Sequence, residues 1–357
     1  MRKKLKREVI NLTEETQQQS FLQRKNIEIS LRRYGIEVLG FMAQGLFASL
    51  IIGVILNEIG VQLGITFLSE TVWPIANEMT GPAIGAAVAF GLKAPPLVVF
   101  ASTITGYAGA DLGGPAGALI AAVLGAEFGK IVSKETKVDI VVTPAVTILV
   151  GVLAGSLVGP GVDALMRGLG VIIMEATEMQ PVPMGIIVAV VIGLTLTFPI
   201  SSVALTIMLD LEGLAAGAAA VGCASQMIGF AVASYKENGV GGLIAQGLGT
   251  SMLQIPNVVS KPKLLIPPTL TAAILGPMVT AVFPMYNLAM GAGMGTSGLV
   301  GQFGAIAAME GAGMGGAAMY IQILVFHFVA PAVLAYAISQ FMRKKGHIQD
   351  GDLKLPE

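Results

Sequence analysis

Stretches of roughly 20 predominantly apolar residues recur along this chain, and that is the length an α-helix needs to cross the ~30 Å hydrocarbon core of a bilayer. They fall at 39–60, 81–101, 112–130, 139–160, 183–207, 212–233, 240–257, 264–285 and 315–341. Only 12% of the residues are charged and 54% are apolar, whereas soluble domains carry about 25% charged residues. Of the 43 Asp, Glu, Lys and Arg residues, 14 lie in residues 1–37 and 7 in residues 342–357. Such a composition cannot clothe a soluble core in polar surface. It excludes a disordered chain, a nucleic-acid-binding module and a typical soluble enzyme. The expected fold is an all-α polytopic membrane protein.

Residues 1–36 read as a polar cytoplasmic tail with an amphipathic surface helix in part of it, residues 37–342 as the membrane domain, and residues 343–357 as a second cytoplasmic tail. Nine Lys or Arg before the first apolar run place the N-terminus inside by the positive-inside rule. An apolar region near the start, which a cleavable signal peptide needs, is absent. The single cysteine, Cys223, lies in a small-residue run and reads as a packing residue.

The chain also matches itself. GPAIGAAVAFGLKAPPLVVFAS from Gly81 aligns with GLAAGAAAVGCASQMIGFAVAS from Gly213, with seven of 22 positions identical, and LIAAVLG from Leu119 aligns with LIAQGLG from Leu243. This predicts two parallel repeats, about 81–205 and 213–338. With the lysine loops (Lys130, Lys134, Lys137; Lys261, Lys263) and Arg343 all inside, the fold is expected to have about 10 transmembrane helices with re-entrant or broken segments. In that scheme 64–80 crosses, while 286–312 and its counterpart 161–182 are re-entrant.

Backbone that is not helical survives at membrane depth only where protein buries it or a cavity hydrates it. Candidate breaks are Lys93 to Pro96, Ser102 to Pro115, Gln254 to Asn257 and Gly291 to Gly304. A charge at the bilayer centre costs about 2.5–3.5 kcal/mol on insertion scales, so it is paired or faces a cavity. These two arguments select Lys93, Asp111, Glu127, Gln226, Asn257, Gln302, Glu310 and His327 as substrate-binding candidates, with Lys93 pairing Asp111 or Glu127 across a cavity. The alternatives are snorkelling for Lys93, an interfacial place for Glu127, a wet loop for Glu310 and simple helix packing for His327. No motif calls for a catalytic residue, a metal or a cofactor.

The TGPAIGAAVAFGLKAPPLVVFAS span, the GGPAGALIAAVLGAEFGKIVSKETKVDIVVTP stretch and VSKPKLLIPPTLTAAILGPM resemble the EIIC-type membrane subunits of the bacterial phosphotransferase system. That group includes membrane regulators of the perfringolysin-regulator type. The resemblance implies an inner-membrane permease subunit that carries a sugar while cytoplasmic IIA and IIB proteins phosphorylate it, and it implies a homodimer. The Gly-Ile-Thr-Glu loop of well-studied sugar permeases is missing; the nearest acidic loop holds Glu310. The leading expectation is therefore a permease for a sugar or similar small polar solute working by alternating access. A solute sensor that moves nothing, and an ion-coupled transporter of a small anion held by Lys93, are the alternatives.

Overall fold

The computed structural model describes residues 21–30 and 32–355, and their regular elements are all helices, with no strand among them. In lipid each backbone N–H and C=O must be met within the protein, and a helix does this within one segment. In chain order the architecture is carried by α1 (Arg33–Leu63), α2 (Trp73–Glu78), α3 (Thr80–Gly91), α4 (Pro96–Val132), α5 (Asp139–Thr177), α6 (Pro181–Thr197), α7 (Ser202–Met208), α8 (Gly213–Ala233), α9 (Tyr235–Ile244), α10 (Ile255–Ser260), α11 (Pro262–Val282), α12 (Ala289–Met294), α13 (Val300–Gly311) and α14 (Ala317–Lys344). Six of them, α1, α4, α5, α8, α11 and α14, are long and apolar enough to cross a membrane, and α3 and α6 are shorter apolar helices.

The small residues act where backbones meet. Gly222 of α8 touches the Ala189 backbone of α6, and Gly217 touches the Met285 carbonyl. Without side chains between them, helices approach closely and gain packing contact, the main attraction left once lipid is the solvent. α8 is accordingly the central helix, buried along nearly its whole length.

Several expected boundaries move. Residues 64–80 do not cross alone: the segment folds back along α1, with Gly60 beside Leu68 and Gly53 beside Ala76, and α3 completes the return with Gly45 beside Ala83. The expected span 81–101 stops at Leu92, since Lys93 takes a left-handed turn (φ 54) before Pro95 and Pro96. α4 is a hairpin: Gly113 and Gly114 leave helical geometry, and the arm after Pro115 returns with Gly117 against Gly109. Residues 161–182, expected to be re-entrant, mostly continue α5, whose 39 residues make a rod of about 58 Å. The self-similar stretches have different shapes: Gly81 to Ser102 breaks at Lys93, while the matching stretch from Gly213 is one unbroken helix. The part of the expected N-terminal surface helix within residues 1–20 lies outside the described residues.

The chain path defines two ends. Arg33 Nη2 and Lys130 Nζ both donate to the Leu92 carbonyl, at 2.9 and 3.1 Å. Leu39 packs on a cluster that holds Ile255, Leu264 and Met342. Arg33, Lys93, Lys130, Lys261 and Arg343 thus share one end. Asp163, Glu175, Glu178, Asp210 and Glu212 lie toward the other, at the far end of α5 and in the turn before α8.

Two re-entrant segments enter from opposite ends. Residues 286–312 do so as expected, from the acidic end, through α12, a tip at Gly295 to Leu299, and α13. Residues 240–257, expected to span, instead belong to a second hairpin from the basic end, with α9 and α10 as arms and a tip near Thr250. The tips meet: Thr296 Oγ1 donates to the Gly247 carbonyl at 2.5 Å. α6 also ends inside the protein, and α7 turns the chain back toward the acidic end.

Candidate functional site

The broken ends enclose a cavity of about 420 Å³, within the range of small-molecule sites. α1 contributes Leu46, Leu50, Val54, Asn57 and Glu58; the segment folded along it adds Trp73 and Asn77. Ser201 and Ser202 come from the α6–α7 break, Thr250 and Met252 from one re-entrant tip, and Met294 and Ser297 from the other. Asn77 is exposed, so the cavity opens at the protein surface beside it, while Ser202, Thr250 and Ser297 are buried at its inner wall.

Those wall hydroxyls differ in how they are met. Ser202 Oγ donates to the Gly293 carbonyl at 2.7 Å, and Thr250 Oγ1 accepts from Met252 N at 3.2 Å. Ser297 Oγ is buried with no hydrogen-bond partner among the described residues. An orphaned hydroxyl costs about 1–3 kcal/mol, and one lining a cavity can recover that cost by binding a solute. Glu58 is the sole charged residue among those lining the cavity, and its Oε1 accepts from Gln62 Nε2 at 2.8 Å.

Toward the basic end the cavity is closed by a buried polar layer. Thr197 Oγ1 donates to Gln226 Oε1 at 3.2 Å and lies 2.9 Å from Ser251 Oγ, and Gln226 Nε2 donates to Thr269 Oγ1 at 3.0 Å. Gln226, a sequence candidate, thus ties α8 to α6 and α11 beneath the cavity rather than lining it.

The other sequence candidates scatter. Lys93 and Asp111 are both exposed, Lys93 in the turn before α4 and Asp111 at the far end of its first arm, which rises ~23 Å from Pro96 to Asp111 at 1.5 Å per residue; they form no pair. Glu127 is buried but bound to Lys130 at 2.8 Å and receives the Tyr34 hydroxyl at 3.0 Å. Lys130 Nζ also donates to the Asn26 carbonyl at 2.9 Å, so the cluster anchors residues 26–34 to α4. Asn257 Nδ2 donates to Gln254 Oε1 at 2.7 Å and to the Lys354 carbonyl at 2.9 Å, holding the C-terminal tail. Glu310 is exposed at the end of α13.

Gln302 and His327 do come together. Both are buried, and Gln302 Nε2 donates to His327 Nδ1 at 2.8 Å. Neither lines the cavity. Replacing Gln302 by leucine should leave Nδ1 without its donor and cost about 1–2 kcal/mol, read as a lower melting temperature with solute uptake retained.

Sequence reasoning passed over Glu58 and Trp73. Both carried a signal: an acidic residue inside a strong apolar run, and the single tryptophan of the chain beside Pro74.

The family described as Phosphotransferase system, EIIC matches residues 36–355. The chain belongs to that family. No curated protein and no solved structure matches it. EIIC proteins are membrane-embedded permease subunits that work with IIA and IIB proteins. For this EIIC chain the cavity is the feature that such a role requires, and polar groups from the broken helix ends converge on it.

Proposed function

We propose that the chain is the permease subunit of a phosphotransferase system and carries a sugar or similar small hydroxylated solute across a bacterial cell membrane. The observation that supports this reading is the cavity between the two re-entrant tips, with an orphaned hydroxyl at its wall. The basic end faces the cytoplasm, since it gathers Arg33, Lys93, Lys130, Lys261 and Arg343 and the positive-inside rule orients such an end inward. Both termini are then cytoplasmic, and the cavity opens outward.

Alternating access is the mode of transport that this geometry supports. The Thr296–Gly247 contact and the Thr197–Gln226–Ser251 layer form the inner gate. Shifting the two hairpins apart would open the cavity toward the cytoplasm, where IIA and IIB proteins supply the phosphoryl group. An anion carrier built on Lys93 loses its basis, because that lysine lies outside the cavity.

Ala204 is an exposed residue of α7 that lines the cavity. Ala204→Phe should fill the space without breaking a buried contact and lower phosphoenolpyruvate-driven uptake at least about tenfold, with the melting temperature held. Unchanged uptake through the Ala204→Phe protein would count against the cavity as the solute path.

A further inference from the structure

We infer that the cavity prefers a hydroxylated ring bearing a cationic amino group, held between the Glu58 carboxylate and the Trp73 indole, over the same ring uncharged, and rejects its phosphorylated form. The inference rests on the permease reading and adds the charge of the solute to it.

The charge balance of the wall carries the argument. No lysine, arginine or histidine lines the cavity, and Glu58 is its one formal charge. Glu58 takes part in none of the ion pairs among the described residues. It is half-buried, it shares the cavity wall with apolar residues such as Val54 and Val300 and with the neutral Asn57 and Asn77, and a neutral amide from Gln62 is its hydrogen-bond donor. A carboxylate on a cavity wall with no counter-charge attracts a cation and repels an anion, and the more so the more water the bound solute displaces. A phosphate or carboxylate on the solute would meet that repulsion with no cation to offset it.

A second group points the same way. Trp73 lines the cavity, and its ring edge packs about where a Cβ on Gly53 would stand, 3.3 Å from Cε3. An indole face is the best aromatic partner for a cation and also stacks on the apolar face of a ring. Asn57, Asn77 and the orphaned Ser297 hydroxyl remain for the ring's hydroxyls. A cavity wall with a carboxylate, an indole and neutral donors and acceptors is complementary to an aminated polyol.

The chain contains one tryptophan, so its own fluorescence reports on this cavity. The purified full-length protein is titrated with glucosamine, galactosamine and mannosamine, with the three neutral parents, and with glucose 6-phosphate. The fitting amino sugar should saturate the Trp73 signal at about a tenfold lower concentration than its parent, a charge-assisted hydrogen bond being about twice as strong as a neutral one. The phosphate should leave the signal unmoved. Glu58→Gln, close in size and shape, should bring the amino sugar and its parent within about twofold. A parent that binds as tightly as its amine, a phosphate that binds, or a preference that survives Glu58→Gln each overturns the inference. If a neutral or anionic solute is taken up, and Ala204→Phe blocks it, the permease reading stands and the charge preference falls. If no probe moves Trp73 and Ala204→Phe leaves uptake unchanged, both fall.

Discussion

Gly295→Ala is expected to destabilise the protein by about 3 kcal/mol and to reduce uptake far more than the cavity-filling variant does. Gly295 stands at the tip of the re-entrant segment from the acidic end, with φ 55 and ψ −122, a region that residues with a side chain rarely enter. A Cβ there would sit 2.6 Å from Cys223 Cβ and 2.8 Å from Ala224 N, both on the central helix α8. Backbone strain of about 1–2 kcal/mol adds to overpacking of about 1–3 kcal/mol, because α8 is buried and cannot yield. Relief would come by displacing the tip, and the neighbouring Thr296 contact to Gly247 would be lost with it. Gly313→Ala separates the two causes. Gly313 also has positive φ, 74, but nothing within 4 Å of its would-be Cβ. It should show the strain alone, about 1 kcal/mol, and full uptake. Equal melting temperatures for the two variants would refute the argument.

Much of this architecture is legible in the residues, and the failures have physical causes. Apolar run length marks the membrane body because no other solvent suits it. The Gly291–Gly304 stretch is legible as re-entrant because weakly apolar, glycine-rich backbone needs a protein wall around it. Lys93 and Asp111 mislead because a charge at the end of an apolar run looks the same in sequence whether a hairpin turn or a cavity receives it. Gly113–Gly114 settles that for Asp111 by turning the chain at the surface. The Gly/Ala similarity between residues 81–102 and 213–234 reflects a shared need for small residues at close helix contacts, and the two stretches fold differently. Glu58 and Trp73 line one cavity only because the segment after Gly64 folds back along α1. Run length carries no information about that fold-back.

Removing residues 346–357 is expected to loosen the inner re-entrant hairpin while the rest of the bundle stays protected. The tail is built onto both arms of that hairpin. Asn238 Nδ2 and Gln254 Nε2 donate to the Leu353 carbonyl at 2.8 and 2.9 Å, and Asn257 holds the Lys354 carbonyl at 2.9 Å. Asp350 pairs with Lys236 at 2.6 Å, and Asp352 with Lys261 at 2.6 Å. Ile348 and Leu353 are buried among Phe230, Ile255, Val258 and Leu264. Truncation would expose that apolar surface, at about 1.5–3 kcal/mol per side chain as an upper bound, and would strip three amides of their carbonyls. Amide exchange over Tyr235–Ser260 should therefore accelerate by more than about tenfold, with α1 and α8 unchanged; unaltered exchange over that segment would show that the tail holds nothing. Acid tests the same strap without a truncation. The hydrogen bond and charge of Lys236 hold the Asp350 carboxyl below its usual value. Partial burial is the largest single influence on Asp352 and raises its carboxyl, but the hydrogen bonds from Lys261 and the Gln349 amide, with the charges of Lys261 and Arg343, together outweigh it and the net shift is downward. A carboxyl whose folded value is depressed stabilises the folded state fully above its unfolded value of about 3.9. That contribution is lost as pH falls through the depressed folded value. Exchange in the hairpin should be insensitive between pH 7 and 5, once corrected for the intrinsic rate, and rise below about pH 4. High salt should reproduce part of the effect at neutral pH, since the exposed Lys236–Asp350 pair is screened within about a Debye length. Because this hairpin supplies Thr250 and Met252 to the cavity and Gly247 to the contact with Thr296, a loosened strap should also weaken solute binding, which links residues 346–355 to the tip contact that they brace from the basic end.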